Sequence, residues 1–322
     1  MEISTFSDFE AYAAAIQDAD TRVMLPRLDR PLWQISRFMV NGIGIQQGLE
    51  GSGTIVEGAV RPGGCVIFVP MANASRYYKV NGHDLDECAL TILGPGAEFC
   101  ITASKASEWC SIFIPFNLAT AWASDLGSHP FPLLPPVVRV MRTSQEGLVR
   151  LRAFVQRFTA AVDHHSGLLT LSAPVAGAVS ELKEVIAQAL NPGGSTSLLV
   201  RGRPSISRER LIGKVKDCLQ EHADGQVSLE DLATAAGVSE RTIRTAFHDY
   251  YGVGPCRYLN LRQLHLIRRT LQGPDPGMAT VSAVATHFGV WELGRFAQRY
   301  RTLFGELPSA TLNRGRLIGA CR

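Results

Sequence analysis

Two clusters of arginine and small polar residues in the last third of the chain have side chains that can bind nucleic acid. A guanidinium group donates paired hydrogen bonds to guanine or phosphate, and hydroxyl, amide and imidazole groups can contact base edges or the backbone. Residues three or four apart share a helix face, so each cluster predicts a helix that can lie in a major groove. The clusters comprise Ser239, Arg241, Thr242, Arg244, Thr245 and His248, and Arg295, Gln298, Arg299 and Arg301.

The charge of the chain is distributed unevenly. Residues 205–322 contain 16 Lys and Arg against 11 Asp and Glu, a net charge of +5, whereas residues 1–204 carry a net charge of −2. Such a basic segment favours a polyanionic partner. The whole chain has 322 residues, 46% of them hydrophobic and 19% charged, which predicts folded domains, two of them by length, and excludes a disordered protein.

The two clusters lie in two copies of one helical pattern. In each copy a glycine, Gly237 or Gly289, follows four residues after an alanine, Ala233 or Ala285. One inserted residue brings the positions that follow into register: Ile243, Phe247, Gly252 and Pro255 in the first copy, and Phe296, Tyr300, Gly305 and Pro308 in the second. An apolar helix, a glycine turn and a second helix form a helix-turn-helix.

Local signals define where these helices begin. Ser228 with Asp231 predicts a capping box, and Ser239 predicts the start of the second helix, whereas Val290-Trp291-Glu292 in the second copy has no capping side chain. Trp291 is interpreted as packing between two helices, with contact to the DNA backbone as the alternative. Between the copies, residues 255–271 predict an amphipathic spacer of about 25 Å, with Arg262, Arg268 and Arg269 facing outward.

The N-terminal part has a different pattern. Between Pro31 and Phe116, apolar runs alternate with turn clusters every 8–12 residues, which indicates a sandwich or small barrel. Two apolar stripes follow, at 148–162 and 175–186, and predict helices that pair either with each other or with a second subunit. No apolar run reaches the ~18 residues of a membrane span and no signal peptide is visible, so we expect a cytoplasmic protein.

The segment from Ser228 to Leu312 resembles the DNA-binding domain of AraC/XylS transcription regulators. The C-terminal segments beginning at Trp291 and Phe304 look like the subgroup that includes ethanolamine-operon regulators. Thr245 and Leu293 depart from the residues usual in the family. The residues that carry the resemblance are Ala233, Gly237-Val238-Ser239, Arg241, Ile243, Phe247, Gly252, Pro255, Tyr258, Arg262, Ala285, Phe288-Gly289, Phe296, Arg299, Phe304-Gly305 and Pro308-Ser309.

The resemblance implies an α+β protein: an N-terminal cupin-like β-barrel with a helical dimerisation segment, and a C-terminal all-α tandem helix-turn-helix domain. It implies a homodimeric activator that binds double-stranded DNA and a small-molecule effector and recruits RNA polymerase, with no cofactor. The predicted divisions are a sensing domain at 1–136, a helical dimerisation segment at 137–190, a flexible linker at 191–207 and the DNA-binding domain at 208–322.

An effector pocket would combine aromatic walls with a few polar groups. The candidates are Trp33, Arg37, Tyr77, Tyr78, Glu98 and Trp109. The competing interpretations are a cupin-type enzyme, for which His83 alone offers an imidazole ligand in the strand-rich stretch, and a redox sensor. A redox sensor would use Cys65, Cys88, Cys100 or Cys110. We predict neither a catalytic residue nor a metal site.

Overall fold

The structure is a computed structural model, which describes residues 2–71, 77–125, 136–164, 171–190, 208–222, 226–273 and 280–320. It divides into two compact units, Met1–Val23 with Asp29–Arg201, and Met24–Leu28 with Gly202–Arg322. We call them the sheet unit and the helical unit. The predicted linker at 191–207 lies outside the described residues, and the four predicted divisions of the chain stay predictions.

The described residues of the sheet unit include twelve strands. Several of them are buried along most of their length, and β6 Gly64–Pro70 and β9 Ala89–Leu93 are buried throughout, as expected where a short continuous apolar run forms a strand inside the core. The strands are β1 Glu2–Phe6, β2 Ala19–Met24, β3 Trp33–Val40, β4 Ile43–Glu50, β5 Thr54–Val60, β6 Gly64–Pro70, β7 Tyr78–Val80, β8 His83–Asp84, β9 Ala89–Leu93, β10 Glu98–Ala103, β11 Ser107–Pro115 and β12 Val138–Arg142.

These strands form two sheets and not the expected closed barrel. One sheet has the order β1-β3-β4-β11-β6-β9-β12 and the other the order β2-β5-β10-β7-β8. The edge strands of one sheet, β1 and β12, are not paired with those of the other, β2 and β8, within the described residues. The strand-rich architecture was therefore predicted correctly, while the closure of the barrel is corrected to an open arrangement of two sheets.

Four helices complete the described part of the sheet unit: α1 Phe9–Ala15, α2 Phe116–Asp125, α3 Gln145–His164 and α4 Ser172–Leu190. The apolar stripes of α3 and α4 join one core with a face of the larger sheet, where Leu151 and Leu182 are buried together with Phe38 and Ile112. Burial of this kind contributes about 25 cal/mol per Å² of apolar surface. The sequence left open whether these stripes pack within the chain or against a second subunit, and these stripe residues pack within the chain.

The helical unit contains seven helices among its described residues. None of the described helices of the chain is long and apolar enough to cross a bilayer. The seven helices are α5 Arg208–Glu221, α6 Leu229–Ala236, α7 Glu240–Tyr251, α8 Pro255–Gln272, α9 Val281–His287, α10 Leu293–Phe304 and α11 Pro308–Ala320.

Helix α8 lies between the two helix-turn-helix copies in sequence, as predicted, but two of its arginines point inward. Arg262 is 9% exposed and donates hydrogen bonds to the carbonyl oxygens of Leu219 and His222, at the C-terminal end of α5. Arg268 is 4% exposed and pairs with Glu306 at 2.5 Å. The predicted outward orientation of both is wrong because unpaired helix-end carbonyls and a half-buried carboxylate attract a guanidinium group. Arg269 is exposed as expected.

The segment Met24–Leu28 belongs to the helical unit although it lies far from the rest of it in sequence. Leu25 is fully buried, and its backbone N–H donates to Nε2 of His265 on α8 at 3.1 Å. Burial lowers the pKa of His265 to about 3, so the imidazole is neutral and accepts this hydrogen bond. This hydrogen bond to the neutral His265 imidazole therefore holds the segment to α8.

Candidate nucleic-acid interface and internal cavity

The first helix-turn-helix, α6 and α7, is formed by the local signals predicted from the sequence. Ser228 caps α6 in a capping box with Asp231, which satisfies backbone N–H groups at both positions. Gly237 ends α6 with φ of 68°, a left-handed conformation that side chains with a Cβ rarely adopt. The Ser239 side chain then accepts a hydrogen bond from the Thr242 N–H at 3.2 Å and begins α7. The turn thereby sets the direction of α7 relative to α6.

Helix α7 has one buried and one exposed face. Ile243, Phe247 and Tyr250 lie in the core of the unit. The six residues predicted to contact DNA from this copy are all exposed: Ser239, Arg241, Thr242, Arg244, Thr245 and His248. A single helix face therefore carries two guanidinium groups, three hydroxyls and an imidazole.

The second helix-turn-helix, α9 and α10, repeats this design with a weaker helix start. Thr280 caps α9 by accepting a hydrogen bond from the Ala283 N–H at 3.1 Å, and Gly289 follows with φ of 76°. Helix α10 begins after Glu292, which makes no capping hydrogen bond, as the sequence predicted. Four residues predicted to contact DNA are exposed on it: Arg295, Gln298, Arg299 and Arg301.

Trp291 precedes α10 and was interpreted from the sequence as a packing residue. Its side chain is 78% exposed, so that interpretation is wrong. The turn after Gly289 carries the indole outward, next to Leu293, which is 41% exposed. The start of α10 therefore presents an apolar surface beside its arginines.

The exposed arginines have different partners. Arg244 pairs with Glu240 at 2.7 Å, and Arg295 pairs with Glu292 at 2.9 Å. Both pairs are solvent-exposed, and such pairs contribute at most about 1 kcal/mol, so a phosphate can replace the carboxylate at little cost. For Arg241, among the described residues, no ion pair is present. Its guanidinium group is thus presented to solvent.

A cavity lies between the two sheets of the sheet unit. Its open volume is about 60 Å³, room for a few water molecules or for an organic molecule of a few heavy atoms. Residues of β4, β6, β9 and β11 line it from one sheet, and residues of β2, β5, β7 and β10 line it from the other. The lining residues are Ile16, Asp18, Ala19, Thr21, Gln46, Glu50, Thr54, Val56, Val60, Val66, Phe68, Tyr78, Leu93, Phe99, Ile101, Trp109 and Ser111.

Glu50 is the central polar residue of this cavity. It is 3% exposed, and its two carboxyl oxygens accept hydrogen bonds from the Tyr12 hydroxyl at 3.2 Å and the Thr54 hydroxyl at 2.8 Å. The Trp109 indole N–H donates in turn to the Tyr12 oxygen at 2.9 Å. Burial raises the pKa of Glu50 to about 7. The carboxyl group can therefore change its protonation state near neutral pH.

Trp109 takes part in this network because Gly48 leaves room for it. A Cβ atom at Gly48, the residue paired with Trp109 across β4 and β11, would lie 2.3 Å from the indole ring. Real side chains never approach so closely, so glycine at this position allows the ring to lie flat across β4. The close approach fixes one wall of the cavity.

The structure brings two of the six predicted effector residues to the cavity, Tyr78 and Trp109. Trp33 is buried on β3, where it is paired with Glu50 of β4. Arg37 lies further along β3. Tyr77 lies under the Lys105 ammonium group, and Glu98 is exposed. These four do not line the cavity.

Sequence reasoning missed the acidic residues of the cavity, Asp18 and Glu50, together with Gln46 and Tyr12. A signal was available for two of them, because Gln46, Gly48 and Glu50 recur at every second position of β4 and so share a face. Asp18 lies outside the strands, and only the fold brings it within 2.5 Å of Gln46 Nε2.

The cysteines considered for redox sensing are mostly inside the sheet unit. Cys65, Cys100 and Cys110 are buried, and Cys88 is half-buried. Burial raises the pKa of Cys65 to about 11 and raises that of Cys110 further above its ordinary value. Both are therefore protonated thiols, the less reactive form. Among the described residues no three His, Cys, Asp or Glu side chains group closely enough to hold a metal ion.

Comparison with known proteins agrees with this description of the helical unit. A family model described as a helix-turn-helix domain matches residues 232–314. XylDLEGF operon transcriptional activator 1 of Pseudomonas putida is 28% identical over 232 residues, 71% of this chain and 66% of the relative. XylDLEGF operon transcriptional activator 2 of the same organism is 35% identical over 126 residues, 39% of this chain and 76% of the relative.

Among solved structures, a probable AraC family transcriptional regulator from Rhodopseudomonas palustris is 31% identical, covers 33% of this chain and 97% of its own, and has a TM-score of 0.30. The fold and the exposed basic helices define a helix-turn-helix DNA-binding protein. The chain belongs to the AraC/XylS family of transcription regulators. It spans just under two thirds of the first relative's length. The narrower likeness to ethanolamine-operon regulators is not confirmed by these relatives.

Proposed function

We propose that the protein is an effector-responsive transcriptional activator that reads double-stranded DNA with α7 and α10. The observation that carries this proposal is the repeated unit: two helix-turn-helix copies in one chain each expose a helix with arginine and short polar groups. A helix of this kind fits a major groove, where arginine reads guanine. The 18 residues of α8 span about 27 Å, comparable to the ~34 Å between successive grooves on one face of a duplex.

The side chains of α7 and α10 divide between base reading and phosphate contact. The candidates for contact with base edges are Arg241, Thr242 and Thr245. The candidates for phosphate contact are Arg244 and Arg295, because a phosphate can replace the carboxylate with which each of them pairs. Trp291 and Leu293 add an apolar contact with the sugar-phosphate backbone. The net charge of +5 of residues 205–322 supports this assignment, since phosphate contacts dominate affinity.

The sheet unit is proposed to sense a small organic effector in the cavity between its sheets. This unit would serve as the cupin-like sensing domain that the family resemblance implies, although its strands form two open sheets. Occupation of the cavity would change the packing of the sheets and of the helices α3 and α4 on the larger sheet, and so the geometry of a homodimer that recruits RNA polymerase. A regulator of bacterial DNA acts in the cytoplasm.

The proposed DNA contact can be tested by selecting bound duplexes from a randomised pool with the full chain and repeating the selection with Arg241→Ala. We expect the variant to lose discrimination at one base position per half-site, by about 1–3 kcal/mol, with other positions unchanged. Arg139→Ala, which removes the same charge from an exposed site on β12, is the matched control. An equal loss on selected and random DNA would assign Arg241 to phosphate, and no selected sequence at all would refute the function.

A further inference from the structure

The cavity of the sheet unit has an unusual balance of charge for a site in a mostly apolar interior. Its lining includes two carboxyl side chains, Asp18 and Glu50, and none of the described residues that line it is Lys, Arg or His. The remaining walls are largely aliphatic and aromatic, with Phe68, Phe99 and Trp109 among them. A ligand in this cavity therefore meets apolar surface and acidic groups.

We propose that the cavity selects a small, mostly apolar molecule that bears one protonated amine, and that it discriminates against carboxylates. This inference rests on the proposed sensing function and deepens it. An ammonium group can donate hydrogen bonds to Glu50 and be neutralised by it, while the apolar part of the ligand fills the space between the sheets. A carboxylate would instead bring a like charge into a poorly solvated space with no cationic side chain on its walls.

The hydrogen bonds of Glu50 leave the carboxylate capable of this role. Tyr12 and Thr54 each donate to one carboxyl oxygen, and a carboxylate with two oxygens can accept about four hydrogen bonds. The titratable groups that face Glu50 are Tyr12 from α1 and Tyr78 from β7, and burial raises the pKa of both, so they stay neutral. Within its hydrogen-bonding network, Glu50 is therefore the group that can carry charge.

Asp18 forms a second acidic position on the wall. Gln46 donates to it at 2.5 Å, and Arg37 and Arg61 are near enough to lower its pKa, although burial outweighs them and raises it overall. Asp18 thus already has cationic neighbours, whereas Glu50 is held only by neutral donors. This difference makes Glu50 the primary partner of a ligand ammonium group.

A further polar group lies beside the cavity. Thr91 is fully buried, and its hydroxyl has no hydrogen-bond partner among the described residues. In β9 it shares a face with the lining residue Leu93, and it lies directly opposite the lining residue Phe68 in register. A polar group of a ligand, or a water molecule that accompanies it, can satisfy this hydroxyl.

The test uses three probes of similar size, propylamine, propan-1-ol and propionate, and measures their binding to the full chain by calorimetry at pH 8. We expect propylamine to bind at least tenfold more tightly than either of the others. Tighter binding of propionate would overturn the inference while leaving a sensing function intact. Absence of binding by all three would also overturn it, and DNA selectivity measured on the same preparation reports separately on the regulator function.

Variants and pH identify the group responsible. Glu50→Gln should weaken propylamine binding at least tenfold and leave propan-1-ol binding unchanged, whereas Glu87→Gln, at an exposed site that does not line the cavity, should alter neither. Glu50 must be ionised to pair with the ammonium group, so for the unmodified protein each pH unit below about 7 should weaken propylamine binding by up to tenfold. Propylamine binding that does not change between pH 8 and pH 5, or that survives Glu50→Gln unchanged, would refute the inference.

Discussion

At the scale of the residue, the arginines of the helical unit differ in whether their guanidinium groups point to solvent or into the protein. Arg241 is exposed on α7, whereas Arg262 on α8 is buried against the carbonyl groups of Leu219 and His222. We expect Arg262→Ala to lower the free energy of unfolding by about 2–3 kcal/mol, because charged hydrogen bonds to buried carbonyls are lost. Arg241→Ala should change it by less than about 0.5 kcal/mol.

Denaturant unfolding of both variants measures this difference. A large destabilisation by Arg241→Ala would mean that the residue is structural and would remove it from the DNA interface.

A second residue-scale prediction concerns Gly48 and the cavity wall. Gly48→Ala should lower the free energy of unfolding by about 1–3 kcal/mol, since the new methyl group would displace the Trp109 indole from its place over β4. Denaturant unfolding with tryptophan fluorescence reports both effects. Gly177→Ala in α4 is the control: a Cβ there meets no atom within 4 Å, and a helical alanine should stabilise by about 0.5–1 kcal/mol. Equal stability of the two variants would contradict the account of the wall.

At the scale of the element, the two DNA-facing helices begin in different ways. Ser239 caps α7, whereas α10 has no side-chain cap. Ser239→Ala should cost about 1 kcal/mol of stability and Ser239→Asp little, because aspartate can accept the same backbone hydrogen bond. Thermal unfolding measures the cost, and amide hydrogen exchange at the start of α7 shows its location. The prediction fails if the aspartate variant is as unstable as the alanine variant.

The elements of the helical unit were predictable because their signals are local. A capping side chain and a left-handed glycine determine a helix end within a few residues. Both copies have the glycine, and the first copy also has the two capping serines. The orientation of Arg262 and Arg268 was not predictable, since their partners lie 43 and 38 residues away in the chain. In the sheet unit the strands were predictable from short apolar runs between turn clusters, but the closure of the barrel was not, because it depends on pairing between distant strands.

At the scale of the whole molecule, the helical unit includes a segment from the N-terminal part of the chain. Leu25→Ala should open this unit, since a buried leucine contributes about 2–5 kcal/mol and Leu25 is fully buried. Hydrogen exchange measured by mass spectrometry should show faster exchange in α8, with β4 unchanged. Leu317→Ala, at a site that is 70% exposed, is the control. Unchanged exchange in α8 would show that the segment is not part of this unit.

The sequence by itself determined the helix-turn-helix repeat, the exposed face of each DNA-facing helix and the strand-rich character of the N-terminal part, because helix periodicity, helix capping and turn residues act between near neighbours. Only the tertiary structure decided that the sheets stay open, that a cavity with Glu50 and Asp18 lies between them, and that residues 24–28 belong with the C-terminal helices. These features depend on contacts between residues far apart in the chain, and the energy of such contacts depends on burial that no local pattern specifies.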